Sequence, residues 1–231
     1  MIDFHSHILP GVDDGSKDVK ESLRLISMLR RQGVDVVVAT PHYYAGNEPP
    51  EIFVDRRQKA YEQLSAELPE GSPRILLGAE VEYYEGISSL QGLDMLTFGA
   101  DKLLLVEMPM RKWSELAIKE LKTLSCVKGY TVILAHIERY MRFQNPDVWK
   151  RLRSFGILMQ VNASFFNGVL TRRKALSMLY KGHINVIGSD CHNVENRPPA
   201  IGDSFETFRL KAGEKFLSDF TEYNRSLLFV E

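Results

Sequence analysis

Met1-Ile-Asp-Phe-His-Ser-His7 opens the chain, and the alternation in it governs how every later segment is read. As a β-strand, period-two geometry sends Asp3, His5 and His7 to one face and Ile2, Phe4 and Ser6 to the other. Two imidazoles one pleat apart on a rigid strand suit a single metal ion, because neutral imidazole binds zinc, iron and manganese. Taken alone the pair is a common short motif, equally compatible with one packed and one solvated histidine. The rest of the chain has to decide.

Beyond residue 7, strands and helices alternate regularly. A turn-rich loop, Leu9-Pro-Gly-Val-Asp-Asp-Gly-Ser16, leads to a helix capped by Ser16 or Asp18, with Val19, Leu23, Ile26 and Leu29 on one face and Gly33 as its stop. Val34 to Thr40 is a β-branched run of the kind buried in a parallel sheet, and it delivers Pro41-His42 at its end. A polar helix over 52 to 68 is ended by Pro69 and Gly71, and Arg74 to Glu80 is a third strand. An irregular connection with one short helix spans 86 to 100, a strand over 102 to 107 ends on Glu107, and a helix covers 113 to 128. Thr131 to Ala135, with His136 directly behind it, then 157 to 161 and 184 to 188 are further strands, separated by helices over 146 to 155 and 171 to 181. One or two helices and an apolar patch, Leu227 to Val230, complete the chain.

Seven strands alternating with helices predict an α/β fold with a parallel sheet, closed or nearly closed into a barrel, with an open doubly wound sheet as the alternative. No repeat, low-complexity segment or linker interrupts the 231 residues, so a single domain over 1–231 is expected. With 29 basic against 30 acidic residues and a net charge of -1, no global field draws the chain to nucleic acid or anionic lipid. No apolar run approaches a membrane span and no charged-then-apolar leader opens the sequence, so no membrane insertion and a cytoplasmic protein are expected. Its two cysteines, Cys126 and Cys191, are expected to be reduced.

In strand–helix barrels the chemistry sits at the carboxyl ends of strands. There stand His5 and His7, Asp14, His42, Glu80, Glu107, His136, Asp190 and His192. Five of the six histidines fall at such ends, and His183 alone does not. Each position has an ordinary explanation: Asp13-Asp14-Gly15 also reads as a turn, with Asp14 chosen over Asp13 of its two acids, Glu82 shares the face of Glu80, and Glu107 could serve a surface ion pair. All of these would have to hold together to dismiss the site. Nine nitrogen and oxygen donors without cysteine are too many for one tetrahedral ion, and they point to two or three ions sharing a bridging carboxylate, the arrangement used for hydrolysis.

The blocks DFHSHILPGVDDGS, VVATPHY, LLGAEVEY, LLVEMP, VILAHIERY and IGSDCHN resemble, in order from residue 2 to about 198, the polymerase-and-histidinol-phosphatase (PHP) family. HSHILPGVDDG and the HIER element are similar to its bacterial branch of manganese-dependent protein-tyrosine phosphatases of capsule and exopolysaccharide systems. The resemblance implies a distorted (β/α)7 barrel with a trinuclear site. On it, His5, His7, Glu80 and Asp190 would hold one ion; Glu80 would bridge to a second, held by Glu107 and His136; and Asp14, His42 and His192 would hold the third. Mn2+ is the implied metal, with iron or zinc as alternatives. Arg139 and Arg197 match the arginines that this branch uses for phosphate, and the implied partner is the phosphotyrosine tail of a bacterial tyrosine kinase. Two departures stand out: Ile137 where the pattern has proline, and a shorter segment beyond residue 200.

Within the family the alternative is a phosphatase of a small metabolite such as histidinol phosphate, or a general phosphoesterase, because fold and metals do not set substrate. Metal-dependent amidohydrolases also open on HxH, but they place a lysine between the metals, and no strand-end lysine is suited to that here. A non-catalytic phosphotyrosine or metal-binding module is the third class. Cys191 and Arg197 have the spacing of cysteine-dependent phosphatases, yet the five residues between them contain no glycine and include Glu195, which would repel phosphate. We read that spacing as coincidence. Tyr43, Tyr44, Met108, Met110 and Trp113 are candidates for an apolar wall beside the metals, or for ordinary loop packing.

Overall fold

The computed structural model describes residues 1–229. The expected patch at Leu227 to Val230 therefore runs past the described residues at Val230. Nine short strands lie in parallel ladders: β1 (Ile2–Ser6), β2 (Val36–Ala39), β3 (His42–Tyr43), β4 (Arg74–Leu77), β5 (Glu80–Glu82), β6 (Leu103–Glu107), β7 (Thr131–Leu134), β8 (Leu158–Asn162) and β9 (Val186–Gly188). All seven expected strands are present, one of them broken, and one further short strand is added. The third divides into β4 and β5 around Gly78-Ala79, and β3 is the added strand, just past the expected end of the second at Thr40.

The hydrogen bonding is split into one sheet of order β1-β2-β4 and another of order β3-β5-β6-β7-β8-β9. Closure between β9 and β1 rests on a bridge between Ser6 and Cys191, on His7 N donating to Cys191 O at 2.9 Å, and on Asp190 N donating to His5 O at 2.8 Å. The result is a curled, distorted barrel. Its inside is packed by Phe4, Val38, Leu105, Ile133 and Val186, contributed by five different strands. A second, larger core fills the space between the sheet and the surrounding helices.

Those helices are α1 (Val19–Arg31), α2 (Pro50–Ser65), α3 (Glu115–Lys122), α4 (Pro146–Ser154), α5 (Ser164–Asn167), α6 (Arg172–Tyr180), α7 (Ile201–Ala212) and α8 (Glu214–Leu228). Asp18, rather than Ser16, caps α1: its side chain accepts from Glu21 N at 2.9 Å, an interaction worth about 1 kcal/mol. Two 3-10 turns, Ile87–Ser89 and Leu93–Leu96, occupy the irregular connection where one short helix was expected. The segment beyond 200 has a structural task. Leu227 and Leu228 of α8 join the interior cluster, and Leu228 O accepts from Ala100 N, so this helix covers the end of the barrel where the strands begin. Among the described residues no helix is long and apolar enough to cross a membrane.

Candidate active site

Every strand end that carries a candidate ligand points into one depression at the carboxyl edge of the sheet. His5 Nε2 lies 3.1 Å from Glu80 Oε2 and 3.6 Å from Asp190 Oδ1, and His7 Nε2 lies 3.3 and 3.5 Å from the same two oxygens. The other Glu80 oxygen is 2.9 Å from His136 Nε2, which is also 3.4 Å from Glu107 Oε1. Asp14 Oδ1 sits between His42 Nε2 and His192 Nε2, at 3.6 and 3.5 Å. All nine candidates are thus brought together. Their ligand atoms form four groupings, each within 4.8 Å: His7, Asp14, His42 and His192; His5, His7 and Asp190; His5, Glu80 and His136; His42, Glu80 and Glu107. His5, His7, His42 and Glu80 each belong to two of them. Glu82, the competitor of Glu80, is exposed, and His183 lies elsewhere, beside α4 and α6.

Simple alternation on β1 holds for His5 and His7 but not for Asp3. The ladder shifts between Asp3 and Ser6, so Phe4 packs in the interior cluster next to His5, and Asp3 instead accepts from the backbone NH groups of His5 and Ser189, at 3.2 and 2.7 Å. The neighbouring strand has to come close for this to fit. A Cβ on Gly188 would stand 2.4 Å from His5 Cβ, and one on Gly15 would stand 2.3 Å from His7 O, so both positions require glycine. His136 and Asp190 occupy left-handed backbone, at φ +32° and +53°, conformations that cost free energy and gather at functional sites.

Burial alone would discharge these groups, and their mutual contacts oppose it. Against that burial, His5 holds the Glu80 and Asp190 carboxyls well below their usual range, helped at Glu80 by His136 and at Asp190 by His7. Against the same penalty, Glu107 and Glu80 push His136 up to about 9, and Asp13, Asp190 and Glu80 hold His7 well above its usual value. Burial and the charge of His7 instead bring His192 down to about 4. Protons on His7 and His136 therefore balance a cluster of buried carboxylates. Two buried ring nitrogens, His42 Nδ1 and His192 Nε2, lie 3.1 and 3.5 Å from Glu80 Oε2 and Asp14 Oδ1 without forming a hydrogen bond. Orphaned imidazole nitrogens beside ionised carboxylates fit divalent cations, which would take the place of the protons.

Both arginines stand at the rim and both engage Asp190: Arg139 Nη2 pairs with Oδ2, and Arg197 Nη2 lies 2.8 Å from Oδ1. Ile137 in place of proline leaves the turn intact, since Ile137–Arg139 is a 3-10 turn that still delivers Arg139. Asn193 fastens the other side by accepting from the backbone NH of Glu195, Asn196 and Arg197 at 3.2, 2.7 and 3.1 Å.

Of the residues that orient the candidate ligands, Asp13 enters the sequence reading only as the alternative to Asp14, and the others are not among the candidates. Asp13 Oδ2 is 2.6 Å from His7 Nδ1, Gln160 Oε1 is 3.3 Å from His5 Nδ1, Tyr140 OH is 3.0 Å from His136 Nδ1, and Asn162 Nδ2 donates to Asp190 at 2.8 Å. Gln160 and Asn162 carried a signal in the sequence: two polar side chains at alternate positions of an otherwise apolar strand. Of the five proposed wall residues, Tyr43, Met108 and Trp113 are core, buried to 7% exposure or less. Tyr44 and Met110 are open, and Tyr44 stacks on His42 with ring centroids 5.5 Å apart. The Cys191 thiol is buried, and burial together with the Asp3 and Asp190 carboxylates drives its pKa far up, so it supplies no thiolate.

A family model described as capsular polysaccharide synthesis, CpsB/CapC, matches residues 1–229. The tyrosine-protein phosphatase CpsB of Streptococcus agalactiae is 30% identical over all of this chain and 96% of its own length. The tyrosine-protein phosphatase YwqE of Bacillus subtilis is 31% identical over 85% of this chain and 79% of its own. Among solved structures, a chain from the work on YwqE of Bacillus subtilis and CpsB of Streptococcus pneumoniae, described there as unique metal-dependent tyrosine phosphatases, superposes with a TM-score of 0.84 at 26% identity. That match covers 99% of this chain and 94% of the other.

Proposed function

The chain belongs to the capsular polysaccharide synthesis CpsB/CapC family, and on that basis we propose that it is a metal-dependent protein-tyrosine phosphatase. The observation that carries the proposal is the convergence of nine ligand side chains on Glu80 and its neighbours with two arginines at the rim. His5, His7, Glu80 and Asp190 would hold one ion, Glu80, Glu107 and His136 a second, and Asp14, His42 and His192 a third. Manganese is the ion we assign, since mixed imidazole and carboxylate sets suit it, with iron or zinc able to bind the same donors. Bound divalent ions supply water with its pKa lowered toward neutrality for attack on phosphorus.

The chain's own residues do the rest. Arg139 and Arg197 present planar, permanently charged forks that match phosphate oxygens in pairs and stabilise the charge that builds during transfer. Engagement with Asp190 keeps both at the edge of the site before substrate arrives. Tyr44 and Met110 offer an exposed apolar surface for the phenyl ring of phosphotyrosine. The leaving phenolate has an intrinsic pKa of about 10, so it needs little protonation to depart. We assign as substrate the phosphotyrosine tail of a bacterial tyrosine kinase that controls capsule or exopolysaccharide synthesis, met in the cytoplasm by this single-domain chain.

The test is phosphate release from a phosphotyrosine peptide and from histidinol phosphate, side by side, by metal-stripped protein with and without added Mn2+. Manganese-dependent turnover favouring the peptide is the expected result. Preference for the small ester would replace the substrate, and inactivity on both would overturn phosphate chemistry.

A further inference from the structure

The charges of this nearly neutral chain are unevenly placed. Between residues 142 and 183 lie eight of its 29 basic side chains and one of its 30 acids, Asp147. Of those eight, only Arg151 forms an ion pair among the described residues, with Glu115. The others sit largely on α4 and α6, which face each other across a cavity of about 280 Å³. Met141, Trp149 and Met178 line it together with Arg153, Lys174 and His183. With no carboxylate at hand, burial and the charges of Arg153 and Lys181 lower the pKa of His183.

Directly before α6, Val169 and Leu170 project from the loop at 88% and 95% exposure, the two most exposed large hydrophobic side chains described. Arg172 holds that loop by donating to Phe166 O and Asn167 O at 2.9 and 3.2 Å. Arg173 and Lys174 come next in sequence and are exposed. An aliphatic tip that projects beside unpaired cations matches the layering of a bilayer surface, where acyl chains lie under phosphate headgroups. An acidic polypeptide without apolar side chains would answer the cations but leave Val169 and Leu170 in water.

We propose that the α4–α6 flank and the 168–171 loop form a peripheral docking surface for a membrane rich in anionic phospholipid. The contact is superficial: two aliphatic side chains enter the interface and the basic residues lie along it. The loop comes after β8, whose terminal Asn162 bonds Asp190, so the tip rises from the same end of the barrel as the ligand cluster. Docking therefore presents the mouth of the site to substrates held at the bilayer.

Co-sedimentation with vesicles of phosphatidylcholine, with and without phosphatidylglycerol, tests this on the full chain. Binding only to the anionic vesicles, with release by high salt, is expected. Arg173→Gln combined with Lys174→Gln should weaken binding by about 25-fold, roughly fivefold for each charge removed. Val169→Asp combined with Leu170→Asp should abolish it while preserving the wild-type unfolding temperature, since neither side chain is packed. Failure of the wild type to bind either vesicle, equal binding to both, or undiminished binding by the two variants would overturn the proposal.

Discussion

Asp13 Oδ2 lies 2.6 Å from His7 Nδ1, and the same oxygen accepts from the backbone NH of His42 at 2.9 Å. One carboxylate thus sets the ring orientation of one candidate ligand and the backbone position of another. Outer partners of this kind fix the tautomer that presents Nε2 to a metal. Asp13→Asn should lower Mn2+ affinity by about 10- to 100-fold. Calorimetric titration of metal-stripped protein measures it, and an unchanged affinity would show that Asp13 is only a turn residue.

Arg139 and Arg197 flank Asp190 from opposite oxygens. Arg139→Ala should reduce kcat by about 10²-fold or more, the usual cost of removing one preorganised charge donor. Arg197→Lys should also be impaired, because an ammonium cannot reproduce the paired fork. Metal content should stay at the wild-type level in both. Rates within a few-fold of wild type would remove the arginines from the mechanism.

Cys191 is buried, with its pKa raised by burial and by neighbouring carboxylates. Cys191→Ser should therefore retain phosphatase activity, whereas a chelator should abolish it. The opposite pattern, an inactive serine variant together with chelator resistance, would point to thiolate chemistry.

Tyr44 stacks on His42 and keeps one face open. Tyr44→Ala should raise KM for an aryl phosphate several-fold while leaving an alkyl phosphate almost unaffected, since an aromatic pair adds about 1 kcal/mol beyond area burial. Equal effects on both substrates would assign Tyr44 to positioning His42 instead.

The pH dependence of stability should invert with metal. In the metal-free fold His136 is pushed up to about 9, against about 6.5 for a free histidine. Between those values the folded chain binds more protons than the unfolded one, so stability is present below about pH 6.5 and is lost as pH rises toward 9. Burial also holds Glu138 up at about 7, which acts in the same direction at the lower edge of the window. Bound metal displaces the protons, and stability in Mn2+ should then rise with pH. Thermal unfolding near pH 6 and near pH 9, in chelator and in Mn2+, reads both slopes. A midpoint that climbs with pH in chelator would contradict the assignment.

Reading along the chain was enough to establish the alternation of strands and helices, the carboxyl-end placement of nine donors and the pairing of His5 with His7. These are local matters: side-chain period, turn residues and the step from an apolar run to a polar residue leave their mark in the order of residues. Features that depend on distant segments meeting emerged only in the folded chain. Folding broke the third strand at Gly78, added β3 after Pro41, shifted β1 so that Asp3 leaves the face of His5, and made Asp14 a member of the cluster while Asp13 orients it. It also buried Tyr43, Met108 and Trp113 while exposing Tyr44 and Met110, a choice that composition cannot encode. The reason is the same in each case: register and burial are set by the partner across the sheet or beneath the loop, and that partner lies tens of residues away along the chain.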